Sequence, residues 1–272
     1  MTLNPTDPAF LAVAGNRPRW TFFNTDTAAW YSAADSSTIT ASGGLASDWH
    51  ERKGNGINLT ATTTQRPTVV SNAQNGRSVM RFNGTTNYMT ALSAGLLRGV
   101  SGATIAAVVR RTANSASTVN VMGITTSANT TRANIAYRAA GLGEGVAAGG
   151  RRVVADSFQS LGTSPFSSAF TIVVAVFDYS AATLTLYENG TQTSFRVFQT
   201  AGVTDNDAGA LYVGSAVTAA SFFNGDIAEL GIFHSAVGTT LRQQAEGYLG
   251  HEWAINGDLA AGHPFRTFPP YQ

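Results

Sequence analysis

Apolar and polar residues alternate along much of this chain, and glycine repeatedly interrupts the alternation. In Thr183-Leu184-Thr185-Leu186-Tyr187-Glu188, Leu184 and Leu186 share one face while the threonines and Tyr187 share the other. That period of two marks a half-buried strand. Asn189-Gly190 follows, and this dipeptide best tolerates the positive φ angles of a two-residue turn, so a hairpin with 192–198 is predicted. Further β-branched or aromatic runs occupy 78–82, 104–110, 118–123, 211–214 and 226–234. The stretch 171–177 within 170–178 is apolar almost throughout, as in a strand covered on both faces. Asn-Gly recurs at 55–56, 75–76, 83–84, 224–225 and 256–257, each a predicted turn or stop. The glycine- and alanine-rich stretch 141–150 reads as a loop between strands. Many antiparallel strands with two-sided burial predict an all-β, two-sheet antiparallel sandwich.

One segment changes the period. Between 240 and 255, Leu241, Ala245, Tyr248, Leu249 and Trp253 recur at three- and four-residue spacing. Thr240-x-x-Gln243 has the form of a capping box, so an amphipathic C-terminal helix over 240–255 is predicted, docked on a sheet through Tyr248 and Trp253. The tail from His263 to Gln272 is Pro-rich and is expected to be extended, tied to this chain or to a neighbour. No linker or internal repeat divides the 272 residues, which read as an N-terminal extension (1–28) and one domain (29–272).

Composition narrows the function. Charged residues make up 12%, with a net charge of +1 and no run of either sign, so the basic face of a nucleic-acid binder is missing. Without cysteine there is no disulfide framework, thiolate metal site or Cys nucleophile. No apolar run approaches the ~18 residues of a membrane span. The N-terminus lacks the basic and apolar regions of a secretory signal, so synthesis and folding in a cytoplasm are expected.

Several motifs, in order, resemble one family. Ala29-Trp30-Tyr31-Ser32-Ala33-Ala34-Asp35, then Ser47-Asp48-Trp49 and Lys53-Gly54-Asn55-Gly56, are similar to the opening of laminin-G-like, concanavalin A-like domains. Gly76-Arg77-Ser78-Val79-Met80-Arg81-Phe82-Asn83-Gly84 resembles the next element, with Asn83 where the family usually has Asp. Leu186-Tyr187-Glu188-Asn189-Gly190 resembles the family hairpin, and Phe223-Asn224-Gly225-Asp226-Ile227-Ala228-Glu229 its "F-x-G-x-I-A-E" strand. Glu246-Gly247-Tyr248-Leu249-Gly250-His251-Glu252-Trp253 with His263-Pro264-Phe265 resembles an ending found in bacterial and phage members. The resemblance implies a jelly-roll sandwich, a fold that carries lectins, glycosidases and structural domains alike. The ending is most similar to that of phage virion proteins.

Glycosidases of this fold set paired carboxylates on one strand. Here Asp226 and Glu229 are three apart and are expected on opposite faces, so no enzymatic activity is expected. The four histidines accompany neither a Gly-x-Ser-x-Gly elbow nor a His-Glu-x-x-His helix. Asp205 and Asp207, flanking Asn206, are candidate calcium ligands, although the same triplet also makes an ordinary turn. Tyr137 and Arg138 are candidate surface ligand readers. The leading expectation is a non-enzymatic virion structural protein, for decoration or head/tail association, that binds other virion proteins or itself as a homo-oligomer. The alternatives are an adhesin or tail-fibre module that recognises host surface polysaccharide and, third, a glycoside hydrolase.

Overall fold

The computed structural model describes residues 20–22, 26–92, 94–162, 167–207, 209–217 and 219–271. In chain order the strands are β1 (Thr27–Ser32), β2 (Ile39–Ser42), β3 (Leu45–Trp49), β4 (Leu59–Thr60), β5 (Thr68–Gln74), β6 (Arg77–Asn83), β7 (Met89–Ala91) and β8 (Gly102–Arg111). They continue as β9 (Val119–Thr125), β10 (Thr131–Tyr137), β11 (Val146–Gly150), β12 (Gln159–Gly162), β13 (Thr171–Asp178), β14 (Thr183–Glu188), β15 (Thr191–Val197), β16 (Leu211–Val213) and β17 (Asn224–Phe233). One helix, α1 (Thr239–Glu252), follows the last strand.

The long strand β17 organises the first sheet. It pairs with β8 on one side and, on the other, with β6 at its start and β1 toward its end; beyond β8 come β13, β14 and β15. The second sheet runs β12–β11–β10–β9–β16–β7–β4. Strand β3 pairs with both β4 and β5, which makes the two sheets one continuous ribbon folded on itself. Every pairing between two of the described strands is antiparallel. The expected sandwich of jelly-roll type with a single C-terminal helix is what the chain forms.

Between the sheets lies the main core, where Met80, Phe82, Ile105, Ile135, Phe177 and Leu186 are fully buried. A second core lies on the outer side of the first sheet, under α1. Strand β13 feeds both, with Val173, Ala175 and Phe177 facing the first core and Ile172 and Val174 the second. This explains its unbroken apolar run. In the second core Trp20 and Phe22 pack edge-on against Tyr248, at 5.9 and 5.4 Å between ring centres. Phe22 occupies space that a side chain at Gly231 would fill.

The helix is fastened at both ends. It starts one residue earlier than its sequence suggests, because Val237 is buried and its N–H donates to Thr104 Oγ1 at 3.0 Å. Gly238 therefore becomes the N-cap, with no side-chain cap, and the Thr240–Gln243 box is not used. The helix also stops short of 255, since Ala254 turns left-handed at φ +52°. Its last carbonyls accept from the β5–β6 hairpin: Gln74 Nε2 donates to Trp253 O at 2.8 Å, and Asn75 Nδ2 and Arg77 Nε donate to Glu252 O at 3.0 and 2.9 Å. These bonds satisfy carbonyls that a helix end leaves open. The Pro-rich tail bends instead of running extended. His263 Nε2 sits 3.1 Å from Glu246 Oε2, Gly247 leaves room for the Phe265 ring, and Pro270 O accepts from Trp20 N at 3.0 Å. The tail thus docks on its own chain.

Two expected turns and loops are strands. Asn224-Gly225 opens β17 instead of turning, and Gly225 is needed because the β8 backbone at Arg110 passes against it. The stretch 141–150 contains β11, buried along its whole length. Gly149 and Gly150 have no room for a side chain, because the Phe158 ring lies across the first and the Arg132 carbonyl of β10 across the second, and this removes bulky residues that usually advertise a strand.

Candidate functional site

The first sheet is covered by α1 on its outer side, and the second sheet turns its outer side to solvent. Strand pairing draws a single line across that open face. Asp48 lies opposite Thr60, Thr60 opposite Thr90, Thr90 opposite Tyr212, and Tyr212 opposite Gly123. Gly123 is then opposite Asn134, Asn134 opposite Gly149, and Gly149 opposite Ser160. Directly paired residues project to the same face of a sheet. The inward neighbours confirm the side, since Trp49, Leu59, Met89, Ala91, Leu211 and Val213 are all in the main core. The result is a polar row with Tyr212 near its centre and a missing side chain at Gly123 beside the ring.

Three depressions follow this row. One of about 430 Å³ lies over Thr60 and Thr90 and is edged by Asn55, Asn58 and Leu92. The next, about 280 Å³, shares Leu92 and reaches Tyr212 between Ser127 and Asn129. A third, about 180 Å³, lies between Asn134, Arg138, Phe158 and Ser160. Leu92 is 74% exposed, and Leu142 and Phe158 on the third depression are 60% and 37% exposed. Isolated exposed apolar residues are ordinary. Here they flank hydrogen-bonding groups along one line. Asn134 Nδ2 donates to Asn120 Oδ1 at 2.6 Å, which fixes the amide and leaves its own oxygen toward Gly149.

The residues expected from sequence fall into different places. Tyr137 is 1% exposed and stacks on Phe223 at 5.9 Å inside the core, so it is not a surface reader. Burial pushes its hydroxyl far above the usual tyrosine range. Arg138, next in β10's alternation, faces outward and lines the third depression. Asp205 is ion-paired with the buried guanidinium of Arg132, and Arg98 Nε donates to Asn206 Oδ1 at 3.2 Å. Asp207 Oδ2 accepts from Ser127 N at 3.2 Å. These residues do not fit a calcium ion, because a guanidinium already neutralises Asp205 and no third acidic ligand joins them among the described residues.

The carboxylates of β17 are placed differently from expectation. A bulge between Ile227 and Glu229 shifts the register, so Asp226 and Glu229 share the helix-covered side instead of facing opposite ways. Asp226 is fully buried and bridges Arg81 (2.7 Å) and Arg110. Glu229 is fully buried and accepts from Trp30 Nε1 at 2.6 Å, Tyr248 OH at 2.9 Å and Trp253 Nε1 at 2.7 Å. Burial pushes its carboxyl up to about 7 against the pull of these three donors. Both groups are sealed from solvent. The polar row on the open face carries one carboxylate, Asp48, whose Oδ2 accepts from Ser47 Oγ at 2.7 Å.

Sequence reading missed Tyr212, Asn134, Phe158 and Ser160. A signal for β10 was present, because Ala133, Ile135 and Tyr137 alternate with Asn134 and Ala136. Nothing local marks Phe158 or Ser160, which gain their meaning from a strand that reads as a loop: Ser160 pairs with Gly149, and the Phe158 ring lies over it.

Among curated proteins none matches this sequence significantly. Solved structures share its fold at low identity. The sialidase of Trypanosoma rangeli in complex with sialic acid is 12% identical with a TM-score of 0.57, covering 84% of this chain and 33% of its own. The binding domain of Paraclostridial Mosquitocidal Protein 1 is 11% identical with a TM-score of 0.60, over 84% of this chain and 53% of that one. The binding domain of botulinum neurotoxin DC, in complex with SialylT, is 9% identical with a TM-score of 0.56, over 80% and 50%. The chain therefore spans a third to about half of those structures. A laminin-G family model matches residues 83–240, more than half of the chain, from the end of β6 into α1. By that match and by its two-sheet sandwich, this chain belongs to the concanavalin A-like lectin/glucanases superfamily.

Proposed function

We propose that this protein is a non-catalytic glycan-binding domain that holds a polysaccharide along its open sheet face, from Asp48 to Ser160. The observation that carries this reading is the cross-strand row of hydrogen-bonding side chains with Tyr212 in its path. Sugars combine hydroxyls that need directed partners with C–H faces that pack on aromatic rings, and the row offers both. An open line of shallow depressions suits the interior of a chain better than a single enclosed ligand. Removal of the β17 carboxylates into buried pairings supports a binding role over a hydrolytic one.

Affinity electrophoresis of the full chain in gels containing neutral or acidic polysaccharides tests this. Saturable retardation by at least one polymer is expected. Migration unchanged by every polymer overturns the proposal.

A second reading, a virion structural role after folding in a host cytoplasm, draws on a separate observation. Phe195 and Val197 are 53% and 58% exposed on β15, which pairs only with β14 among the described strands. Such an edge is a ready site for association with a copy or a neighbouring protein. A strictly monomeric chain that is absent from purified particles removes this reading.

A further inference from the structure

We infer that the third depression is a subsite for a sugar residue bearing a carboxylate, with Arg138 as the group that binds it. This inference rests on reading the open face as a glycan-binding surface.

The depression is built by side chains that glycine seats. Its floor is small: Ala136 on β10 lies across the pairing from Ala147 on β11. Phe158 lies over Gly149, where an added Cβ would stand 2.5 Å from its ring. Arg138 lies over Gly162, where an added Cβ would stand 2.6 Å from Nε. Both side chains are therefore held against the sheet instead of extending freely into water. Nη1 of Arg138 donates to Leu142 O at 3.2 Å, which anchors one corner of the guanidinium. Among the described residues Arg138 has no carboxylate partner, in contrast to Arg52, Arg77, Arg81, Arg110, Arg132 and Arg242.

The nearby charges reinforce the preference. Arg151 places its guanidinium 5.4 Å from the Phe158 ring, adding positive charge beside the depression. Glu144, in the turn between Arg138 and β11, keeps its negative charge but is drawn toward Asn114, whose Nδ2 donates to it at 2.9 Å. A planar guanidinium fixed at one corner presents its remaining N–H groups in the geometry that a carboxylate accepts two at a time. Phe158 supplies an apolar wall for the sugar, and Asn134 and Ser160 supply hydrogen-bonding groups beside it. The volume of about 180 Å³ accommodates one ring and not an oligosaccharide. The row beyond it would hold the flanking residues of the chain.

The experiment compares full-length wild type with Arg138→Gln on polygalacturonate, alginate and polysialic acid, each paired with its methyl-esterified form. A sulfated dextran and an unmodified dextran complete the panel. Wild type is expected to bind at least one acidic polymer about tenfold more tightly than its ester. In Arg138→Gln that ratio is expected to fall to about one. Raised salt should weaken only the acidic interaction. Thermal melting at the wild-type temperature shows that Arg138→Gln folds; if it does not, Arg138→Lys, which keeps the charge but not the fork, should retain part of the preference. A preference that survives Arg138→Gln, or equal binding of acids and esters by wild type, overturns the inference and leaves the glycan-binding face standing. Sulfated dextran bound with the same dependence on Arg138 overturns the carboxylate assignment. Failure to bind any polymer overturns both readings.

Discussion

Glu229→Ala will destabilise the fold by about 3–5 kcal/mol, measured as a shift in the urea unfolding midpoint. The Glu229 side chain joins three parts of the molecule. Trp30 comes from β1, Tyr248 from the middle of α1, and Trp253 caps the helix C-terminus. Without the carboxylate, two indole N–H groups and one hydroxyl are left in a region closed to water, each costing about 1–3 kcal/mol if unsatisfied. Part of that cost is offset because a desolvated acid has been removed. Glu229→Gln keeps one acceptor but presents an N–H₂ to a donor, so a smaller loss of about 1–3 kcal/mol is expected.

The same residue sets a pH dependence. Burial raises its folded pKa to about 7 from an ordinary value of 4.5, so the native state holds a proton that the unfolded state has released between those values. Its contribution is fully present below pH 4.5 and is lost as pH rises through 7. His234 acts in the opposite direction. Burial depresses its pKa, with Lys53 adding to the effect, so its neutral form favours the folded state and that contribution is lost as pH falls below the usual histidine range. The informative quantity is therefore the difference between wild type and Glu229→Gln across pH 4.5–7. That difference should narrow as pH rises. A constant gap would show that Glu229 does not change protonation in this window.

Tyr212→Ala is expected to weaken polysaccharide binding at least tenfold, about 1.4–2 kcal/mol, while leaving stability within about 1 kcal/mol of wild type. Tyr212 faces outward between two buried neighbours, Leu211 and Val213, so its ring contributes to the open face and not to the core. Gly149→Ala provides an independent check. The added methyl meets the far end of a half-exposed Phe158 ring, which can swing outward at little cost to the fold. The ring then leaves the third depression, so acidic polymers should bind less tightly although Arg138 is untouched. Titration calorimetry on both variants reads these effects, and wild-type affinity in both would remove Tyr212 and Phe158 from the binding face.

Local pattern made much of the fold legible. The 183–188 strand, its Asn189-Gly190 turn and the two-faced strand at 171–178 form where their periodicity places them, because burial on one or both sides is written directly into alternation. The helix was equally visible, and its ends shifted by one to three residues because Val237 and Ala254 impose contacts and a backbone turn that no helical period encodes. The 141–150 stretch hides its strand for a related reason. Its two glycines make room for what lies across them, Phe158 above Gly149 and the β10 backbone beside Gly150, and a strand of Val-Ala-Ala-Gly-Gly has no alternation to detect. The shared face of Asp226 and Glu229 is equally hidden from alternation, since one bulged residue reverses the pattern beyond it.

Sequence alone determined that this chain builds an antiparallel sandwich with one docked helix, because alternation, turn dipeptides and a three-to-four-residue stripe are local properties. It named Tyr137 and Arg138 together, and only the burial of Tyr137 separated the two. Only the tertiary structure decided which sheet face is free. That choice rests on contacts across more than two hundred residues of sequence, where Trp20, Phe22, α1 and the tail cover the outer side of one sheet and leave the other open. The polar row from Asp48 to Ser160 arises in the same way, for it comes from the pairing of strands scattered along the chain, and strand register is settled only when the two cores close.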